Sequence, residues 1–153
     1  MEKIRIPHYV ATCLGVFVMG ASACAHAQLG TTGAAAAGTQ GDVVHQAQGG
    51  LVQYHETTDA NGIVVREYVD SSGTVYAVSW RGPAMPDVQS LLGGYFETFR
   101  QGANASAGDA GLHTSRVASG DLVVENRMRL REFTGRAWLV SALPPGVTST
   151  DIQ

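Results

Sequence analysis

Leu51-Val52-Gln53-Tyr54-His55-Glu56-Thr57-Thr58, then Asp59-Ala60-Asn61-Gly62, then Ile63-Val64-Val65-Arg66-Glu67-Tyr68-Val69 is the stretch that decides the fold class. Its first segment alternates and is moderately β-prone. Asn-Gly is the strongest short hairpin signal, because both residues tolerate positive φ. The third segment is rich in β-branched residues and reads as the return strand. Ser71-Ser72-Gly73 turns the chain again, and Thr74 to Trp80 makes a third strand. Strict alternation puts Tyr76, Val78 and Trp80 on one face and Val75, Ala77 and Ser79 on the other. Three strands joined by short turns predict an antiparallel meander.

Toward the C-terminus, Arg81-Gly82-Pro83-Ala84-Met85-Pro86 breaks the sheet. A helix starts at Pro86 or Asp87, where proline fits the first turn and an acid suits the positive end of the dipole. Val88, Leu91, Leu92, Tyr95, Phe96 and Phe99 form its apolar stripe, and Gly102 is its C-terminal stop. Gly93-Gly94 costs about 1 kcal/mol per glycine inside a helix. Two readings compete for the pair: close approach to the small face of Val75, Ala77 and Ser79, which is the commoner cause, or approach to a ligand. Gln101 to Asp121 is polar, with room for a short strand at Leu112 to Val117. A long hairpin ends the fold, from Leu122 to Phe133, through a turn at Thr134-Gly135, and from Arg136 to Leu143. Pro144-Pro145-Gly146 stops it. The expected order is β-β-β-α-(β)-β-β, an α+β domain with one amphipathic helix on an antiparallel sheet.

Toward the N-terminus, Gln28 to Gly50 is rich in Gly, Ala, Thr and Gln and has no periodicity. It reads as a flexible arm, with a helical piece around Asp42 to Gln48 allowed. Residues 1–27 have the layout of a secretory signal: Lys3 and Arg5, an apolar run from Tyr9 to Gly20, and Ala25-His26-Ala27 as an A-x-A site cut after Ala27. The run is shorter than the roughly 20 residues of a spanning helix. The expected division is therefore 1–27 signal peptide, 28–50 arm, 51–147 domain and 148–153 C-terminal tail. Ala21-Ser22-Ala23-Cys24 offers a second route, lipidation at Cys24, with Ala21 where leucine is usual. Cutting after Ala27 removes Cys13 and Cys24, so the mature chain has no disulfide or thiolate. The formal charge of −3 over the whole chain gives no global signal for nucleic acid.

The motifs from Gly62-Ile63-Val64-Val65-Arg66-Glu67-Tyr68-Val69 through Ala77-Val78-Ser79-Trp80-Arg81-Gly82-Pro83, Pro86-Asp87-Val88 and Leu91-Leu92-Gly93-Gly94-Tyr95-Phe96 resemble one family. Phe133-Thr134-Gly135-Arg136-Ala137-Trp138 and Leu143-Pro144-Pro145-Gly146-Val147 continue the likeness. It is similar to a set of exported proteobacterial proteins catalogued as domain of unknown function 2844, from about Leu51 to Ile152. The resemblance implies export and a single domain, and it carries over no catalytic residues.

The sharpest local feature is the last hairpin. A turn at Thr134-Gly135 pairs Phe133 with Arg136, Arg131 with Trp138 and Arg129 with Val140. Met128, Leu130, Ala137 and Leu139 then face a core, and Arg127, Arg129, Arg131, Phe133, Arg136 and Trp138 share the other face. Arg131 over Trp138 makes a cation–π pair. The candidate binding residues are Arg129, Arg131, Arg136 and Trp138, and the ligand they suggest is an anionic or saccharide envelope component. The competing reading is a solvated face whose arginine stems shield Trp138. His45, His55 and His113 are too widely spaced for a metal motif, so neither metal nor cofactor is expected. Asp87, Glu97, Asp121 and Glu125 are the carboxylates from which a small envelope hydrolase would draw its pair. The leading expectation is a non-enzymatic periplasmic or secreted binding or accessory protein. A carboxylate hydrolase and an outer-membrane lipoprotein through Cys24 are the alternatives.

Overall fold

The computed structural model describes residues 28–32, 43–105, 111 and 113–153. The expected signal peptide at 1–27, with Cys24, and the 33–38 glycine-alanine run lie outside the described residues. Seven strands form one antiparallel sheet: β1 Val43–Ala47, β2 Val52–Thr58, β3 Val64–Val69, β4 Val75–Gly82, β5 Thr114–Ser119, β6 Leu122–Arg129 and β7 Glu132–Leu139. Their spatial order is β1-β2-β3-β4-β7-β6-β5. A helical segment between β4 and β5, consisting of α1 Val88–Leu92, a 3₁₀ turn at Gly93–Tyr95 and α2 Phe96–Ala105, carries the chain from the middle of the sheet to its far edge. This is the expected α+β meander with one helical layer.

The meander forms where the turn chemistry directs it. The Asp59 carboxylate accepts from the N–H groups of Asn61 and Ile63, each at 2.8 Å, and Gly62 alone takes positive φ, at 79°. Asp70 organises the next turn in the same way, accepting from Ser72 and Thr74 N–H at 2.8 and 2.9 Å. The bond from Ile63 holds the Asp59 carboxyl below its ordinary value of 3.8, and bonds led by the Ser72 hydroxyl do the same for Asp70.

Strict alternation fails at one place in β4. Tyr68 pairs with Ala77 and Val69 with Val75, which leaves Tyr76 as a bulge. Val75 therefore joins Val78 and Trp80 against the helix, whereas Tyr76 joins Ala77 on the opposite face. The helix does not cover the small face of Val75, Ala77 and Ser79. It packs on the large one, where fully buried Leu92 meets Val78, Trp80, Val124 and Leu139. Burial of such a leucine stabilises by roughly 1.5–3 kcal/mol.

Gly93-Gly94 is a break between two helices. Gly93 has φ 52° and ψ −122°, and its N–H bonds back to Gln89. A Cβ there would collide with the Gln28 side chain. That neighbour shows that parts of the expected flexible arm belong to the fold. Leu29 is buried and its N–H bonds to Leu91 O at 3.0 Å, while Gly30 and Thr31 bond to Val75. Farther on, Val43–Ala47 is an edge strand paired with β2 where a helical piece was allowed. A single leucine in a Gly/Ala-rich run carries no periodic signal, so neither element was visible in the pattern.

The last hairpin turns four residues earlier than expected. Arg129 pairs with Glu132, so Leu130-Arg131 is the turn, and Thr134-Gly135 lies inside β7 opposite Arg127 and Asn126. Gly135 is a strand glycine with a packing reason: a Cβ on it would overlap the Trp80 indole and the Asn126 amide.

Gly135→Ala should therefore destabilise the protein by about 1–3 kcal/mol, because Trp80 has no room to retreat in the core; urea denaturation measures it. The two aspartate-built turns make a pH prediction. Their depressed carboxyls contribute stability that is fully present above 3.8 and is lost as pH falls through their folded values. Acid titration of Asp59→Asn and Asp70→Asn variants should show a smaller loss than in the parent chain.

Candidate functional site: an arginine-lined cleft beneath the C-terminal segment

The face of the sheet away from the helix is covered in part by residues 140–153. Beyond β7, a 3₁₀ turn at Val140–Ala142 and a turn at Pro144 to Val147 double the chain back. A second 3₁₀ turn at Ser149–Asp151 is fixed by a capping box between Thr148 and Asp151. Val147 and Ile152 are buried against Val52, Tyr68, Tyr76, Val123 and Trp138. The expected C-terminal tail is thus a packed element, and the apolar signal is two residues long, too short for any periodic pattern.

Polar groups of the sheet hold that segment by its main chain. Arg136 Nη1 donates to Ser149 O at 2.6 Å and to Ile152 O at 3.2 Å, while its Nε donates to Glu125 at 2.8 Å. Gln153 O accepts from Tyr68 Oη at 2.7 Å, Ser79 Oγ at 2.9 Å and Arg66 Nη1 at 2.8 Å. The Tyr68 hydroxyl also accepts from Gln153 N–H at 2.9 Å. Arg66 is held in turn by Glu56 at 2.7 Å. Arg136 and Arg66 are therefore structural cations, each shared between one carboxylate and the carbonyls of the returning chain.

Of the four candidate binding residues, Arg136 and Trp138 come together, whereas Arg129 and Arg131 lie at the hairpin tip away from them. Trp138 is buried beside Val123 and Ala77, and the cation over its ring is Arg136 at 5.4 Å, two positions away in the same strand. Arg131 stands in the exposed turn, and Arg129 ends β6. The displacement of the turn is even, so Arg127, Arg129, Arg136 and Trp138 still share one face, although every cross-strand partner differs from expectation. Phe133 pairs with Met128 on the opposite face.

Next to the anchored segment lies a cleft of about 690 Å³. Arg81, Arg116, Arg127 and Arg136 line it together with Thr114, Thr134, Glu125 and the Ile152-Gln153 end. β5 brings Arg116 opposite Glu125, and β4 brings Arg81 opposite Thr134. Glu125 is fully engaged, with Arg116 on one oxygen at 2.8 Å and Arg136 on the other at 2.7 Å. Arg81 pairs with Glu132 outside the cleft wall. Arg127 has no acidic partner among the described residues. Arg127, Arg81 and Arg116 are not among the four residues that the sequence pattern singles out, because only the strand order, with β7 between β4 and β6, unites them.

Residues 25–152 match the family model described as Protein of unknown function (DUF2844). The chain belongs to this family. No curated protein and no solved structure matches it. The family match begins well before Leu51, so it takes in Gln28 to Thr32 and β1, the two N-terminal pieces that pack on this DUF2844 domain.

The carboxylates considered for hydrolysis are scattered. Asp87 caps α1 by accepting from Ser90 N–H, Glu97 binds Arg100 and Gln101, and Asp121 binds Ser141. His45 stacks on Tyr54 at 4.9 Å. Among the described residues, no group of three His, Cys, Asp or Glu side chains could hold a metal.

Loss of one anchor should loosen the whole returning segment. Tyr68→Phe removes a hydroxyl that both donates to and accepts from Gln153, and should cost about 1–2 kcal/mol. Arg136→Met leaves one Glu125 oxygen and two carbonyls without their donor in a half-buried setting and should cost about 2–3 kcal/mol. Denaturant unfolding gives both values, and amide exchange at Ile152 and Gln153 should rise more than exchange in β4.

Proposed function

We propose that this DUF2844 protein is an exported, non-enzymatic binding protein whose cleft holds an anionic component of the cell envelope, such as a uronate- or phosphate-bearing saccharide. The observation that carries the reading is Arg127, a cleft cation with no acidic partner among the described residues. Arg81 and Arg116 keep their side chains 72% and 64% exposed while each holds one carboxylate, so both retain donors for a further acceptor. A guanidinium presents forked donors that match carboxylate and phosphate oxygens. Thr114 and Thr134 add hydroxyls beside them. Binding is favoured over hydrolysis because the one carboxylate lining the cleft, Glu125, has both oxygens occupied by guanidinium groups. Export rests on the N-terminal layout of Lys3, Arg5, the Tyr9–Gly20 run and Ala25-His26-Ala27.

Calorimetry with a uronate oligosaccharide and its neutral counterpart tests the binding reading. The acidic sugar should bind and the neutral one should not. Arg127→Ala should weaken the acidic sugar roughly tenfold or more, the worth of a charge-assisted hydrogen bond of about 1.5–3 kcal/mol. Arg100→Ala on the helical layer should leave binding unchanged. Equal affinity of the Arg127 variant and the parent would contradict the site. Export has its own check in the mass of the protein recovered from the envelope fraction. A chain beginning at Gln28 fits the reading, and an acylated chain beginning at Cys24 identifies the lipoprotein route instead.

A further inference from the structure

The β6–β7 turn breaks two rules of hairpin chemistry at once. Leu130 is the only non-glycine residue with positive φ among the described residues, at 55°, in the first central position of a two-residue turn. That position normally takes glycine, since a side chain there meets the backbone. Leu130 is also 98% exposed, the most exposed large apolar side chain described. The fold gains nothing from a leucine at this place, since the side chain touches no core and strains the backbone.

Its surroundings supply the counterpart. Met128, on the strand leading into the turn, is 38% exposed, and Phe133 across from it is half-buried. Arg129 and Arg131 flank Leu130 on both sides, and neither has an ion-pair partner among the described residues. Glu132, the cross-strand neighbour of Arg129, is taken by Arg81. The tip is therefore an exposed apolar wedge between two uncompensated guanidinium groups. That pairing complements the interface of an anionic bilayer, where apolar side chains enter the acyl boundary and arginines meet the headgroups.

We propose that the Arg129-Leu130-Arg131 tip docks the protein on an anionic phospholipid surface, with Leu130 inserted. The residues are separate from Arg127, Arg81 and Arg116, so this docking stands or falls independently of ligand binding in the cleft. Each arginine near an anionic surface is worth about fivefold in affinity, so the contact is reversible and salt-sensitive.

The test uses the full chain carrying Leu130→Trp, with Val140→Trp as the control. Val140 is 53% exposed and lies at the opposite end of β7. Vesicles of phosphatidylcholine with added phosphatidylglycerol should shift the emission of the Leu130→Trp protein to the blue, and brominated acyl chains should quench it. The Val140→Trp protein should show neither response, and pure phosphatidylcholine should give much less shift at the tip. Arg129→Gln with Arg131→Gln in the Leu130→Trp background should lower the apparent affinity by more than tenfold. This site-specific readout is independent of any membrane affinity of the N-terminal apolar run. Unchanged tip fluorescence with anionic vesicles overturns the proposal, as does an equal response from the Val140→Trp control. Leu130→Gly should abolish flotation due to the tip while raising the melting temperature, because it removes the wedge and relieves the backbone; a lower melting temperature would show that Leu130 serves the fold and would also overturn it.

Discussion

The guanidinium of Arg136 is the constraint around which the far face of the sheet is organised. It sits in a central strand, grips Glu125 with one edge and reaches the carbonyls of Ser149 and Ile152 with the other. A bare sheet face bearing Tyr76, Val123 and Trp138 would expose a broad apolar surface, and an antiparallel sheet needs cover on such a face. The returning chain supplies that cover with only Val147 and Ile152 as apolar plugs. Two side chains are a small hydrophobic contribution against the entropy of ordering a terminal segment. The balance comes from hydrogen bonds to main-chain oxygens, donated by Arg136, Arg66, Tyr68 and Ser79 from three neighbouring strands.

The same arrangement creates the cleft. The returning segment covers only part of the face, so the outer halves of β4, β7, β6 and β5 remain open beside it. Apart from Arg129 at the hairpin tip, the arginines on that face consequently fall into two groups. Arg66 and Arg136 lie beneath the segment and are consumed by it, while Arg81, Arg116 and Arg127 line or border the open part. A ligand-binding role can be carried only by the second group, because taking Arg136 or Arg66 away from their carbonyls would release the segment that forms the wall of the site.

Much of the architecture was legible in the amino-acid order. The Asn61-Gly62 hairpin follows from its turn chemistry, and the Thr74 to Trp80 strand, the helical stripe from Val88 to Phe99 and the presence of a last hairpin after Leu122 follow from local periodicity. The features that local pattern does not carry have particular physical causes. Leu29 and Ile152 are single apolar residues in polar runs, and a single buried side chain leaves no period to detect. Tyr76 is bulged, which reverses the expected face for it and for Val75. Thr134-Gly135 has turn composition, yet its glycine exists to admit Trp80, while the real turn at Leu130-Arg131 has the least turn-like residues of the region. That even displacement keeps the basic face but exchanges its partners, so Arg136 meets Glu125 across the strands and the carbonyls of Ser149 and Ile152 beyond them. The cleft itself depends on β7 inserting between β4 and β6, a long-range pairing that no local signal announces.

The division of labour among these arginines is the claim on which the functional account rests, and side-chain NMR of the guanidinium groups observes it directly. In the free protein the Nε–H signals of Arg136 and Arg66 should be sharp and protected from exchange with water, whereas that of Arg127 should exchange quickly. On titration with a uronate oligosaccharide, Arg127 should shift and gain protection while Arg136 and Arg66 stay in place. Ligand-induced movement of Arg136 with Arg127 unchanged would contradict the account, since it would make the anchor of the returning segment the ligand site.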